Sequence, residues 1–283
     1  MENRIKLLEK KANQIRKLII EMLATAGSGH PGGSLSSADI IACLYFDIMR
    51  HDPNNPSSPD RDRFHLSKGH ACPALYAALA LAGYFDIREL WKLRKFGALL
   101  QGHSDRRVPG IDVGSGSLGQ GLSVALGMAL AAKIDKKDYR VYCIMGDGEL
   151  QEGNIWEAAM AVSHFKLDNL CAIVDYNHFQ IDGRVEDIMN LEPLSDKWKA
   201  FGWNVIECDG HNVKELLDSF DKAKETKLKP TVIIAHTIKG RGVSFMEGVV
   251  DFHGRSPTEE ERKIALDELD SKKLSKTDNK GTN

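Results

Sequence analysis

Asp147 lies between two glycines in Gly146-Asp147-Gly148-Glu149, and Asn177 closes Asp175-Tyr176-Asn177 after an intervening helix pattern. One carboxylate and one amide oxygen are hard donors that suit magnesium when phosphate oxygens complete its octahedron. The flanking glycines let the backbone bend sharply and come close to a ligand. A helix beginning near Leu150 would turn its free N–H groups toward a diphosphate at the same place. Asp-Gly alone is ordinary turn punctuation. The order of elements lifts it above that: an apolar, β-prone run from Tyr139 to Met145, the Gly-Asp-Gly turn, a helix from Leu150 to Phe165, a second buried strand from Leu170 to Asp175, then Asn177. Both polar residues then stand at the carboxyl ends of strands, where open α/β sheets bind ligands.

The elements that must hold this edge follow from periodicity. Ile5, Leu8, Ala12, Ile15, Ile19 and Met22 recur in steps of three and four and predict a first helix packed on the core rather than a coiled-coil seam. The run Gly27-Ser28-Gly29-His30-Pro31-Gly32-Gly33 reads as its end and as a loop, with a second helix over Ser37 to Met49. A polar loop, Asp52 to Arg63, precedes a short extended piece, Phe64 to Leu66. Helices are expected over Pro73 to Ala82, over Asp86 to Lys95 with Asp86 as cap, and over Leu118 to Ile134. Between the last two, Leu99 to Ser117 is long, glycine-rich and unpatterned, as functional loops are. Downstream come a glycine turn at Asp182-Gly183, a helix near Asp196 to Phe201, a strand from Trp203 to Glu207, a helix from Val213 to Lys224 and a strand from Thr231 to His236. Such alternation predicts an α/β fold in three layers, α/β/α, around a mainly parallel sheet. One domain is expected over 1–270, followed by a polar, disordered tail over 271–283.

Composition excludes several classes of partner. With 283 residues, 28% charged and 42% hydrophobic, and a formal net charge of −2, the chain has no general attraction for nucleic acid or an anionic membrane. No apolar run is long enough to span a bilayer, and the charged amphipathic start does not read as a signal sequence, so a cytoplasmic location is expected. The five cysteines, Cys43, Cys72, Cys143, Cys171 and Cys208, form no Cys-x-x-Cys pair and read as reduced core residues.

Four segments together resemble one family. Ser28-Gly29-His30-Pro31-Gly32, Ser67-Lys68-Gly69-His70, Gly116-Ser117-Leu118-Gly119-Gln120-Gly121 and Gly146-Asp147-Gly148 with Gln151-Glu152-Gly153 are similar, in order and spacing, to the amino-terminal half of transketolase over about residues 10 to 260. The resemblance implies a thiamin diphosphate-binding fold and transfer of a two-carbon ketol unit between sugar phosphates. It implies that Asp147, Asn177 and the backbone carbonyl of Phe179 hold magnesium, or calcium or manganese in its place. Gly148, with Glu149 beside it, would face the diphosphate, and Lys239 would be a further contact to it. Gly116 and Leu118 would approach the aminopyrimidine. His30, His70, His103 and His253 would surround the thiazolium and the donor sugar. Imidazoles near neutral pKa suit proton traffic at sugar hydroxyls. On that reading His30 and His253 exchange protons, His103 binds a substrate hydroxyl and His70 lies on the cofactor side. Glu152, otherwise a first-turn glutamate complementing a helix dipole, matches a family glutamate at a subunit interface.

Members of that family continue through a pyrimidine-binding domain and a carboxyl-terminal domain, which this sequence lacks. A shortened piece of a longer enzyme and a split enzyme both fit; the expectation is the split enzyme, active only with a partner subunit carrying the pyrimidine-binding domain, in an assembly of two copies of each chain. Another thiamin diphosphate enzyme, similar to 1-deoxyxylulose-5-phosphate synthase or to a decarboxylating E1 component, remains an alternative, as does a non-catalytic cofactor-binding scaffold. The sugar phosphate pair is not named by these residues.

Overall fold

The structure is a computed structural model that describes residues 1–271. Its centre is a five-stranded parallel sheet made of β1 (Arg63–Leu66), β2 (Val141–Gly146), β3 (Leu170–Tyr176), β6 (Asn204–Asp209) and β7 (Thr231–His236), in the order β1-β2-β3-β7-β6. A small antiparallel hairpin, β4 (Phe179–Gln180) and β5 (Gly183–Arg184), turns at the expected glycine. Strands β2 and β3 are apolar on both faces, as strands covered by helices on both sides must be. Register sets the site: Gly146 pairs with Asp175, and Asp175 with Ala235, so three strands end level along one edge.

Helices α1 (Glu2–Ala26), α2 (Pro31–Ser36), α3 (Ala38–Cys43) and α4 (Cys72–Ala82) pack on one face, with α9 (Val213–Glu225) and α10 (Glu259–Ser271). The other face is covered by α5 (Gly121–Ile134), α6 (Gly153–His164) and α8 (Leu194–Ala200), with the short α7 (Val185–Met189) beside them. Alternate strand residues serve the two layers: Tyr142, Ile144 and Ile173 face the first core, and Val141, Cys143 and Val174 the second. The three-layer α/β/α expectation therefore holds. All five cysteines are buried and unpaired. Among the described residues no helix is long and apolar enough to cross a membrane.

Several local expectations need correction. The loop expected over 27–33 stops at His30, because Pro31 opens α2 at a position where its missing N–H costs nothing. Gly32 is helical there, and a Cβ on it would lie 2.9 Å from Lys239 Cγ and from the Phe252 carbonyl, so close approach rather than turning demands glycine. The helix expected over Ser37 to Met49 is α3 followed by a π-helical turn, Leu44–Ile48. The helix expected from Leu150 is a 3₁₀ turn, Gly148–Gln151, broken at the extended Glu152 before α6 begins. Asp86 does cap its element by accepting from Arg88 N at 2.8 Å, but that element is a 3₁₀ turn, Ile87–Lys92. Helices α7 and α10 were not expected. The tail expected over 271–283 lies outside the described residues, apart from Ser271 at the end of α10.

Candidate active site

At the end of β2, Asp147 is only 1% exposed. Its Oδ1 accepts from Gly148 N at 2.8 Å and its Oδ2 from His178 N at 2.5 Å. No cationic side chain pairs with it among the described residues. Burial, with the negative charge of Asp175 adding to it, pushes its carboxyl up to about 7 against those two amides. A buried carboxylate in that state suits a cation. Asn177, also buried, holds its Oδ1 toward Phe179 N at 3.1 Å. The intervening His178 takes a left-handed φ of 66°, which redirects the chain so that Asn177 and Phe179 follow each other along this edge. A carboxylate, an amide oxygen and a carbonyl form an all-oxygen set that fits magnesium. Three oxygens leave the octahedron of magnesium incomplete, so such an ion would need phosphate oxygens or waters as well. Close packing requires glycine at 148, since a Cβ there would stand 2.9 Å from Gln180 Cβ.

Four expected histidines, from four separate loops, come together. His30 lies with its ring centroid 5.3 Å from His70, 5.7 Å from His253 and 6.3 Å from His103, and His70 lies 5.2 Å from His253. Burial holds His30 and His253 down to about 4, lowers His70 well below the usual imidazole range and lowers His103. The rings are therefore neutral at pH 7. Lys239, 1% exposed, reaches from the loop after β7 to place Nζ 2.9 Å from His253 Nδ1. An ammonium can only donate, so His253 carries its own proton on Nε2. The same Nζ is 5.9 Å from the Phe179 ring, which links the histidines to the oxygen donors. Burial lowers Lys239 to about 8. His30 Nδ1 is buried without a hydrogen-bond partner among the described residues.

The remaining expected residues are distributed as follows. Gly116 is exposed, and a Cβ on it would approach His103 Cδ2 at 3.7 Å, so this loop borders the histidines. Leu118 is half-buried two residues on. Glu149 turns inward: its carboxylate accepts from Ser67 Oγ, from Gly119 N at 2.9 Å and from Gly146 N at 3.1 Å. Its oxygens are thus engaged in tying three loops together. Glu152 is exposed at the break before α6, its stem packed where a Cβ on Gly119 would be.

Sequence reasoning missed the pedestal beneath these loops. Lys68 and Asp175 form a wholly buried ion pair. Lys68 Nζ also donates to Gly33 O at 2.9 Å, while Asp175 accepts from Ser36 Oγ at 2.6 Å, Ser37 Oγ at 3.2 Å, Asn177 Nδ2 at 3.3 Å and Thr237 Oγ1. Four site loops therefore meet at one buried pair. Burial alone would raise the Asp175 carboxyl, but Lys68 and the hydroxyls of Ser36 and Thr237 outweigh it and hold it below its ordinary value. The available signal was a charge closing an otherwise apolar strand, Leu170 to Asp175. A second unforeseen brace seats Lys239: His211 Nε2 accepts from Ile238 N at 2.8 Å while its Nδ1 donates to buried Asp39 at 2.7 Å.

Residues 8–272 match the family described as the transketolase, thiamine diphosphate binding domain. The chain is 52% identical over 264 residues to a 6-deoxy-6-sulfo-D-fructose transketolase subunit from a Clostridium species, covering 93% of this chain and 96% of that protein. To an apulose-4-phosphate transketolase subunit of Phocaeicola vulgatus it is 46% identical over 277 residues, 97% of this chain and 99% of that one. The crystal structure of transketolase from Campylobacter jejuni superposes with a TM-score of 0.89 at 35% identity, over 94% of this chain and 43% of that one. The chain likewise spans 40% of the length of human transketolase, at 44% identity.

Proposed function

Because the chain belongs to the transketolase family through its thiamine diphosphate-binding domain, we propose that it is the cofactor-binding subunit of a two-component transketolase. It moves a two-carbon ketol unit from a ketose phosphate to an aldose phosphate, and the pyrimidine-binding domain is supplied by a partner subunit in an assembly of two copies of each. The observation that carries this reading is the convergence of His30, His70, His103 and His253 on one another beside Lys239. A scaffold would need the oxygen donors and the packing, but no cluster of neutral imidazoles. The relatives matched end to end are named as transketolase subunits for a sulfonated ketose and for a ketose phosphate. That supports a donor ketose with an anionic tail and a place in carbohydrate metabolism.

Asp147, Asn177 and the Phe179 carbonyl hold magnesium, for which calcium or manganese can substitute, and Gly148 and Lys239 serve the diphosphate side. When bound, thiamin diphosphate supplies the nucleophilic carbon and the electron sink. The chain's own residues position and move protons. Neutral His30 accepts and returns a proton at a reacting hydroxyl. His253, with Nδ1 occupied by Lys239, presents an Nε2–H donor to a substrate oxygen. His103, the most open of the rings, binds a substrate hydroxyl, and His70 faces the cofactor. Gly116 and Leu118 border the aminopyrimidine, and Glu152 faces the contact between subunits.

Equilibrium titration of the assembled subunits with thiamin diphosphate tests the cofactor side. Binding should require magnesium, and Asp147→Asn should lower affinity on the order of tenfold or more, the weight of one lost charge-assisted contact. Equal affinity with magnesium and with EDTA would contradict the assignment.

A further inference from the structure

His103 is exposed, and among the described residues neither of its ring nitrogens is hydrogen-bonded, so its backbone decides where the ring stands. That backbone has no ladder to hold it, because residues 93–120 belong to no helix or strand. Carbonyls in such a stretch need donors from elsewhere. Helix α4 supplies them. Tyr76 Oη lies 2.8 Å from His103 O and 3.1 Å from Gln101 O, and Cys72 Sγ lies 3.3 Å from Gly102 O. Three successive carbonyls thus meet two side chains that stand one turn apart on a single helix face. Both side chains are buried, Tyr76 at 0% and Cys72 at 1% exposed. Burial raises the pKa of each, Cys72 to about 12, so each keeps the proton it donates. On the other flank of His103, Ser104 O accepts from Ser115 N at 3.0 Å, one residue before Gly116.

A phenol has one proton to give and a thiol is a weak donor, so the shortest of these contacts, Tyr76 to His103 O, carries most of the hold. Helix α4 begins two residues after His70. One helix therefore sets the positions of two site histidines, His70 through the chain itself and His103 through Tyr76. We propose that Tyr76 is a positioning residue for His103: its phenol fixes the His103 backbone, and with it the ring, against the site. The use made of that position, binding a substrate hydroxyl, rests on the transketolase reading. The brace from α4 to residues 101–103 does not depend on it. Tyr76→Phe keeps the buried ring and removes only the donor.

Two measurements test the proposal. In the assembled enzyme with fructose 6-phosphate as donor, Tyr76→Phe should raise KM about 3-fold to 10-fold, the weight of one lost hydrogen bond. Turnover and thiamin diphosphate affinity should stay within about twofold of the parent. Cys72→Ala, which removes the weaker donor, should give a smaller rise in KM. In a His103→Ala background Tyr76→Phe should change KM by less than about 1.5-fold, because the ring it places is gone. An equal factor in both backgrounds, or a larger rise from Cys72→Ala than from Tyr76→Phe, would overturn the proposal. On the chain alone, the ring Cε1–H resonance of His103 should move in Tyr76→Phe, and that of His211, held by Asp39 and Ile238, should not. An unmoved His103 resonance overturns the brace itself. A moved resonance in a chain whose assembly shows no ketol transfer would sink the transketolase reading and leave the brace standing.

Discussion

Lys68→Met should destabilise the chain by about 3–5 kcal/mol, the usual consequence of removing one member of a buried ion pair. Asp175 is 0% exposed and would lose the cation that offsets the cost of burying its carboxylate. Hydrogen bonds from Ser36, Ser37 and Thr237 remain, but hydroxyls alone do not compensate a buried carboxylate. Chemical denaturation of the purified chain reads the loss as a lowered midpoint at unchanged slope. The double variant Lys68→Met, Asp175→Leu should cost less than the sum of the single variants, because the stranded charge is gone. A Lys68→Met stability within about 1 kcal/mol of the parent would show that the pair is not the junction described. The consequence for function is geometric. The loops bearing His30, His70, Asn177 and Lys239 all touch this pair or its immediate ligands, so its loss should loosen the histidines and the oxygen donors together.

His30→Ala should lower turnover by about 10²-fold to 10⁴-fold, the range of general acid–base catalysis by a positioned side chain. Cofactor affinity should change far less, since the oxygen donors are Asp147, Asn177 and Phe179. His30 is central to the cluster, with the other three rings around it and, among the described residues, no hydrogen-bond partner for its buried Nδ1. Burial and the neighbouring Arg94 keep it uncharged at working pH, so it can accept a proton without first losing one. Turnover within about twofold of the parent would remove His30 from the proton pathway and favour a scaffold.

The fold was legible because β2 and β3 are uninterrupted apolar runs and their neighbours carry helical stripes. Misreadings cluster where a residue's usual local meaning yields to a tertiary demand. Pro31 and Gly32 read as helix breakers, yet Pro31 starts α2, and Gly32 is required by the approach of Lys239 and Phe252. Helix α10 was missed because only Ala265 and Leu269 of its charged sequence are buried. The metal-binding end and the histidine loops were legible as short segments, each complete in itself. Lys68 and Asp175 were not legible as a pair, because they lie 107 residues apart and neither segment names the other as its partner. Glu149 could be found by its motif but not by its direction, since only packing turns its carboxylate toward Ser67 and two backbone amides.

Ketol transfer on mixing tests the central claim most directly. This chain, a partner carrying the pyrimidine-binding domain, and the two together are assayed with thiamin diphosphate, magnesium, a ketose phosphate and an aldose phosphate. The predicted result is transfer only from the mixture, without release of carbon dioxide. Full activity from this chain alone, or none from the assembled mixture across a panel of anionic ketoses, would contradict it.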